Sequence, residues 1–324
     1  MLRAMAAKTG LVCQMGNQGH PGVWRYKALL DAGAWGEIEE VFGWSDRPVW
    51  EQGMKTYPPA EPLPDIYDAA RWDCWVGPCE DHGFSCKFAP GKWRAWTEYG
   101  CGAIGDMAVH NLDPAFWCFG LGLPVSVKGD TLGSGPVTVA YPKQSRIVLK
   151  FAPGPLLPRG LTLNWSDGGI LPERESGMHP KMEYGKNGIL VRGSKLTTLG
   201  GSHARPPTVA SVGKHGWNDE SREAQREANK ILRAVQVCNH YEEWVQAIRA
   251  GKPENCGSKM DYAATFTEAL LLGCIALRFP GVELKFDAVA KKFTNCDEAN
   301  KYLKAPSRGL WNFAAFTPRS GVVP

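Results

Sequence analysis

Asp106 and His110 are the residues whose type and spacing point most directly to chemistry. Four positions apart, they share one face of a helix. A histidine beside a fixed carboxylate can accept a proton near neutral pH, and a helix N-terminus favours the ionised form of Asp106. Asp113 follows one turn further. On spacing alone, the better account is a polar helix face or a buried histidine satisfied by a carboxylate. Just upstream, Gly100-Cys101-Gly102-Ala103-Ile104-Gly105 fits the G-x-G-x-x-G pattern of phosphate loops. That reading needs a buried strand before the glycines and a ribose-binding acid about 20 residues after them. Trp93 to Tyr99 is no apolar strand, and Asp130 follows a loop, so we reject it. The glycines let a loop enter a helix at close quarters. Cys74, Cys79, His82 and Cys86 lack zinc-site spacing, and no metal is expected there.

The elements that must hold these residues are readable in outline. Leu2–Lys8 reads as the end of a helix capped by Gly10, and 11–15 as a buried strand. A polar turn over 16–22 leads into a helix at 23–32 and a strand at 38–44. Residues 47–95 form a long irregular excursion rich in proline and tryptophan, and its aromatic content argues against disorder. A helix over 103–112 restarts at Asp113-Pro114, with Asp113 as N-cap. Strands are expected at 146–151 and 161–165, and Asn187-Gly188 signals a hairpin before 189–191. Residues 200–219 read as a loop, 239–250 and 262–277 as helices, 282–286 as a strand, with a helix from Asp297. Strands in a run with helices before and after imply α+β, with an open, mostly antiparallel sheet.

Composition narrows the function classes. The chain has 324 residues, 44% hydrophobic and 22% charged, enough for a core without staples. With 37 Gly and 24 Pro it is rich in turns, yet not of low complexity. A net charge of +4 gives no reason to expect nucleic acid or membrane as a partner. The longest apolar run, near 269–277, is too short to span a bilayer, and Met1–Met5 lacks a signal-peptide core. The ten cysteines include no Cys-x-x-Cys pair and read as reduced or buried thiols.

The stretch Gly100 to Asp113 resembles the GG-x3-D-x3-H-x-x-D signature of the Gfo/Idh/MocA oxidoreductases, relatives of glucose–fructose oxidoreductase and inositol dehydrogenase. Gln14 to His20 resembles the strand joining that family's two domains. Residues 44–50, 72–78, 240–244 and 294–303 resemble segments of a tryptophan-rich bacterial subgroup, so the resemblance spans nearly the whole chain. It implies an N-terminal Rossmann domain binding NAD or NADP, followed by an α+β substrate domain with helices on one sheet face. The other face would form homo-oligomers. The implied reaction is hydride transfer between a sugar or cyclitol carbinol and nicotinamide. His110 would be the proton acceptor or relay, and Asp106 would bind substrate or orient its partner. The family's nucleotide loop and Glu-Lys-Pro motif are not found. Residues 1–20 are therefore expected to be a Rossmann remnant, 21–324 the substrate and assembly domain, and the fragment inactive alone.

Aromatic rings offer flat partners for sugar C–H faces. Nine of the thirteen tryptophans lie at or before Trp117, and Trp93-Arg94-Ala95-Trp96 is the candidate substrate wall. Asn17, His20 and Asp113 are further substrate candidates, and Gln14 and Asn17 candidates for meeting the nicotinamide ribose. Trp24, Trp35, Trp117, Trp244 and Trp311 read as packing, and His179, His203 and His215 as surface or subunit contacts. Two rival readings remain: an NAD-dependent glycosidase working by transient oxidation and elimination, and a non-catalytic binding or assembly module. Cytoplasmic and exported locations are both open.

Overall fold

Alternation of buried and exposed residues sets the sheet. In Ser145–Phe151, Ile147, Leu149 and Phe151 point into the core while Arg146 and Lys150 face water. The same two-residue period runs through Leu161–Asp167, where Leu161, Leu163, Trp165 and Asp167 are buried. The structure, a computed structural model, describes residues 2–213, 216–304, 307–309 and 311.

In chain order the main elements begin with helices α1 (Leu2–Thr9) and α2 (Val23–Asp31), strand β1 (Ile38–Trp44) and helix α3 (Ala69–Val76). A π-helical turn, Ile104–Ala108, then runs into α4 (Val109–Asn111) and α5 (Asp113–Cys118). Strands β2 (Ser126–Asp130), β3 (Ser145–Phe151), β4 (Leu161–Asp167), β5 (Gly188–Gly193), β6 (Leu196–Gly201) and β7 (Thr208–Val212) follow. Helices α6 (Asp219–Ala234), α7 (His240–Ala250) and α8 (Met260–Ala276), strands β8 (Glu283–Asp287) and β9 (Lys292–Phe293), and α9 (Asp297–Asn300) complete the main elements of the described residues. The nine strands among the described residues form one sheet in the order β7-β6-β5-β1-β4-β3-β2-β8-β9. Only β1 and β4 pair in parallel, with Val41 opposite Leu163; all other neighbours are antiparallel. The chain thus adopts the expected α+β class with an open, mostly antiparallel sheet.

The helices cover one face of that sheet. Phe266, Ala269, Leu270 and Leu272 of α8 meet Ile147, Leu149 and Leu163 in a core that also takes in Val23, Tyr26 and Leu29 of α2. On the opposite face Arg192 pairs with Glu40 and Glu175, and its guanidinium lies 5.0 Å above the Phe42 ring. The tryptophan-rich excursion builds its own small core from Trp72, Val76, Phe84, Phe88 and Trp96. No helix among the described residues is long and apolar enough to cross a membrane.

Several local expectations are corrected. Residues 11–15 are not a buried strand: Leu11 is 64% exposed, and this stretch's backbone meets the body where Met15 N–H donates to the Ser258 carbonyl, 2.9 Å. A strand needs a neighbour along its length for its peptide groups, and no strand lies beside this one among the described residues. Asp113 is not an N-cap but the first residue of α5, its carboxylate drawn to buried donors elsewhere. Asn187-Gly188 opens β5 rather than turning a hairpin; the β5–β6 turn is at Ser194-Lys195. Asn187 instead bonds Ser45 and Asp46. The loop expected at 200–219 contains β7. Helix α6 was hidden by its charge, because it buries only a narrow stripe of mostly small residues including Ser221, Ala228 and Leu232.

Candidate active site

The helical entry at residues 100–111 positions the acid–histidine pair. Gly100 is packed so closely on the preceding turn that a Cβ would lie 2.7 Å from both the Arg94 Cα and the Trp93 carbonyl oxygen. That approach places Arg94 beside Asp106, and Arg94 Nε donates to Asp106 Oδ1 at 2.9 Å. The π-helical turn at Ile104–Ala108 widens the helix here, a distortion frequent at functional sites. Arg47, from the segment after β1, brings its Nε to 3.7 Å from Asp106 Oδ2 and donates to Asp46 at 2.9 Å. Asp106 is thus braced by two guanidinium groups. Arg94 also lies 4.7 Å above the Trp93 ring and 5.6 Å from that of Trp50.

His110 stacks on His203, ring centroids 4.1 Å apart and planes 20° from parallel. This corrects the reading of His203 as a surface residue. Its segment follows β6, far in sequence, and no local pattern marks it. A chain of bonds orients the ring. Asn111 Nδ2 donates to the Trp44 carbonyl at 2.7 Å, leaving Asn111 Oδ1 to accept from Ser202 Oγ at 2.7 Å. The hydroxyl proton being so used, His203 Nδ1 carries hydrogen and donates to Ser202 Oγ at 2.6 Å. Burial, and secondarily the adjoining His203, push the His110 pKa down to about 4, against an opposing pull from Asp106 and Asp113. His110 is therefore neutral at pH 7, and its Nδ1 is enclosed without a hydrogen-bond partner. His203 is also shifted down, by burial and then by Arg205 and Arg47.

Other sequence candidates fall elsewhere. Asn17, His20 and Asp113 come together, but inside the protein, each at most 1% exposed. Asp113 accepts from Asn17 Nδ2 at 2.9 Å, His20 Nδ1 at 3.0 Å and Tyr262 Oη at 2.5 Å, while Ser258 donates to Asn17 Oδ1. Trp96 is 1% exposed, its indole N–H donating to the Lys87 carbonyl, so it offers no face to a ligand. Trp93 is half-buried and lies against Arg94. Gln14 Nε2 donates to the carbonyl of His240 at 2.7 Å and to its Nδ1 at 3.0 Å, leaving Gln14 Oε1 enclosed without a partner. Of the remaining histidines, His179 meets Trp217 edge-on, and His215 lies outside the described residues. His82 stacks on Tyr57, Cys79 donates to the Glu98 carbonyl, and no group of three or more metal-ligating side chains converges among the described residues.

The described residues do not fit a nicotinamide dinucleotide. The Gly100–Gly105 loop follows a short 3-10 turn rather than a strand, and a Cβ at Gly102 would lie 2.7 Å from Tyr141, so that surface is already covered. Gln14 Oε1 is an unused acceptor suited to an amide N–H, yet among the described residues no cradle for a pyrophosphate accompanies it.

Residues 29–155 match the family model for the C-terminal alpha/beta domain of the Gfo/Idh/MocA oxidoreductases. Similar solved structures include the WlbA dehydrogenase of Bordetella pertussis in complex with NADH and UDP-GlcNAcA, at 17% identity over 84% of this chain and 63% of that one, TM-score 0.43. Another is an inositol dehydrogenase homolog of Azotobacter vinelandii complexed with NADH and myo-inositol, at 11% identity over 88% of this chain and 67% of that one, TM-score 0.44. A super-repressor mutant of Gal80p from Saccharomyces cerevisiae is also similar, at 10% identity over 89% of this chain and 69% of that one, TM-score 0.47. The chain thus spans about two thirds of the length of these proteins. No curated protein sequence matches it.

Proposed function

We propose that this chain supplies the sugar-binding and proton-accepting part of an NAD(P)-dependent oxidoreductase. The observation that carries the reading is His110, kept neutral at physiological pH within reach of a carboxylate that two arginines hold in place. Oxidising a carbinol to a carbonyl releases one proton from oxygen and one hydride from carbon. A neutral imidazole accepts the proton as the hydride leaves, and its low pKa lets it pass that proton on to water. Asp106 is the counter-charge and hydroxyl acceptor that fixes the substrate, itself held in place by Arg47 and Arg94. Trp93 and Arg94 form the open wall. Asn17, His20 and Asp113 act from inside as positioning groups, since the turn they hold packs against His203. Nicotinamide is the hydride acceptor this reaction class uses, and the described residues do not build its site. The sheet face bearing Phe42, Asn164 and Arg192 is where a second copy would pair.

The test is turnover of a sugar and cyclitol panel with NAD or NADP, using enzyme expressed from its full genomic reading frame. His110→Ala is expected to lower kcat by about 10²–10⁴-fold with little change in KM. Absence of sugar-dependent nicotinamide reduction, or a His110→Ala variant within twofold of wild type, would refute the reading. Calorimetry of residues 1–324 with NAD and NADP is expected to show no tight binding.

A further inference from the structure

A second cavity lies beside the Asp106 site. It has a volume of about 240 Å³ and is lined by Trp75, Val76, Cys79, Trp93 and Tyr99. Its three aromatic walls are each held in place. Trp75 stacks on Trp72 at 4.7 Å and 10°, and Trp72 donates its indole N–H to Asp81. Tyr99 lies 5.1 Å from Trp75, packs edge-on to Phe88 and donates its hydroxyl to the Glu80 carbonyl. Trp93 carries the Arg94 guanidinium over its ring. The Cys79 thiol is already engaged with the Glu98 carbonyl. Among the described residues, three preset aromatic faces surround this hollow and suit an occupant with a flat apolar face and a polar edge. The volume falls below the roughly 300–1,000 Å³ of sites for drug-sized ligands, so it holds a single ring. Trp93 joins this cavity to the reaction centre, because the arginine above its ring is the one that braces Asp106.

We propose that this cavity is a second sugar subsite, and that the substrate is a glycoside or oligosaccharide rather than a free monosaccharide. One pyranose ring would lie between Trp75, Trp93 and Tyr99 while the next unit is presented to Asp106 and His110. The substrate class rests on the reading of the Asp106 site as a sugar centre; the cavity's affinity for a sugar ring does not.

Saturation-transfer NMR on the full chain tests this with cellobiose, maltose, lactose and glucose as probes. At least one disaccharide is expected to bind more tightly than glucose. Trp75→Ala should weaken that disaccharide by roughly three- to tenfold, the value of one aromatic stacking contact, and glucose by no more than that. Trp75→Phe, which keeps an aromatic face and the stack on Trp72, should restore binding to within about twofold, so a loss caused by misfolding is recognised. The proposal is overturned if no disaccharide exceeds glucose, if Trp75→Ala binds as wild type does, or if adenosine occupies the cavity and no disaccharide does. Arg94→Ala separates the two readings. If it leaves glucose binding intact while the disaccharide still depends on Trp75, the subsite stands and the sugar reading of the Asp106 centre falls.

Discussion

Replacing Asp113 by alanine removes the one acceptor shared by three enclosed donors, Asn17 Nδ2, His20 Nδ1 and Tyr262 Oη. A buried donor left unsatisfied costs about 1–3 kcal/mol, and breaking a buried ionic or hydrogen-bonded pair costs about 3–5 kcal/mol. The three losses do not add in full, because Tyr262 can turn its hydroxyl and a water can enter the space. Asp113→Ala is therefore expected to destabilise the protein by about 3–5 kcal/mol. For a chain of this size that lowers Tm by on the order of 10 °C. Asp113→Asn keeps the shape and one acceptor oxygen, and should lose about half as much. Urea unfolding followed by tryptophan fluorescence reads both. A double-mutant cycle with Tyr262→Phe should be less than additive, since the two side chains share a bond of 2.5 Å. An Asp113→Ala variant within 1 kcal/mol of wild type, or an additive cycle, would show that the network does not hold these elements together.

Three further outcomes follow from other sites. Burial raises the Asp167 pKa to about 7, against weaker opposing bonds from Trp165 and Ser145. The folded state thus holds this proton more tightly than the unfolded chain, and the resulting stability is complete below about pH 4 and lost as pH rises through 7. Asp167→Asn should match wild type below about pH 4 and exceed it by about 2–4 kcal/mol at pH 8, measured by denaturant unfolding at both ends of that range. His110 has the opposite linkage: its folded pKa of about 4 lies below the free value of 6.5, so the unfolded chain takes the proton first and stability declines as pH falls from 6.5 towards 4. After allowance for its partial exposure this amounts to about 1–2 kcal/mol, and His110→Gln should flatten the stability profile across that window. Gly100→Ala drives a Cβ into the backbone of Trp93 and Arg94, so it should cost about 1–3 kcal/mol in denaturant unfolding. The same variant should weaken sugar binding through Arg94, and unchanged binding would contradict that coupling.

Much of the fold was legible because it follows from local periodicity. β1 matches its expected limits, and β3, α7 and α8 fall within two residues of theirs, since each carries a clear apolar pattern or a capping residue. Helix α6 was not legible, because its buried stripe is small and its surface is charged. The acid–histidine pair was visible at i,i+4, but its three other partners were not. Arg47, Ser202 and His203 arrive from segments that only the sheet brings near. Asp113 carried the right signal for a helix start, yet buried donors from distant elements claimed its carboxylate. Trp96 shows the same limit: tryptophan content identified an aromatic region without saying which ring faces outward.

His203 and Ala204 both have left-handed backbones, with φ of 60° and 50°. The turn at residues 19–22 lies directly against them: a Cβ on Gly19 would sit 2.3 Å from the His203 carbonyl oxygen, and one on Gly22 would sit 2.2 Å from that of Ala204. These four positions, nearly 200 residues apart in the chain, must therefore change together or not at all. Drift at Gly19 is judged at the His110 ring, through the imidazole stacked upon it. Among the descendants of such a sequence, the proton-accepting site and the N-terminal turn form a single heritable unit, and the loop lengths between them are free to vary.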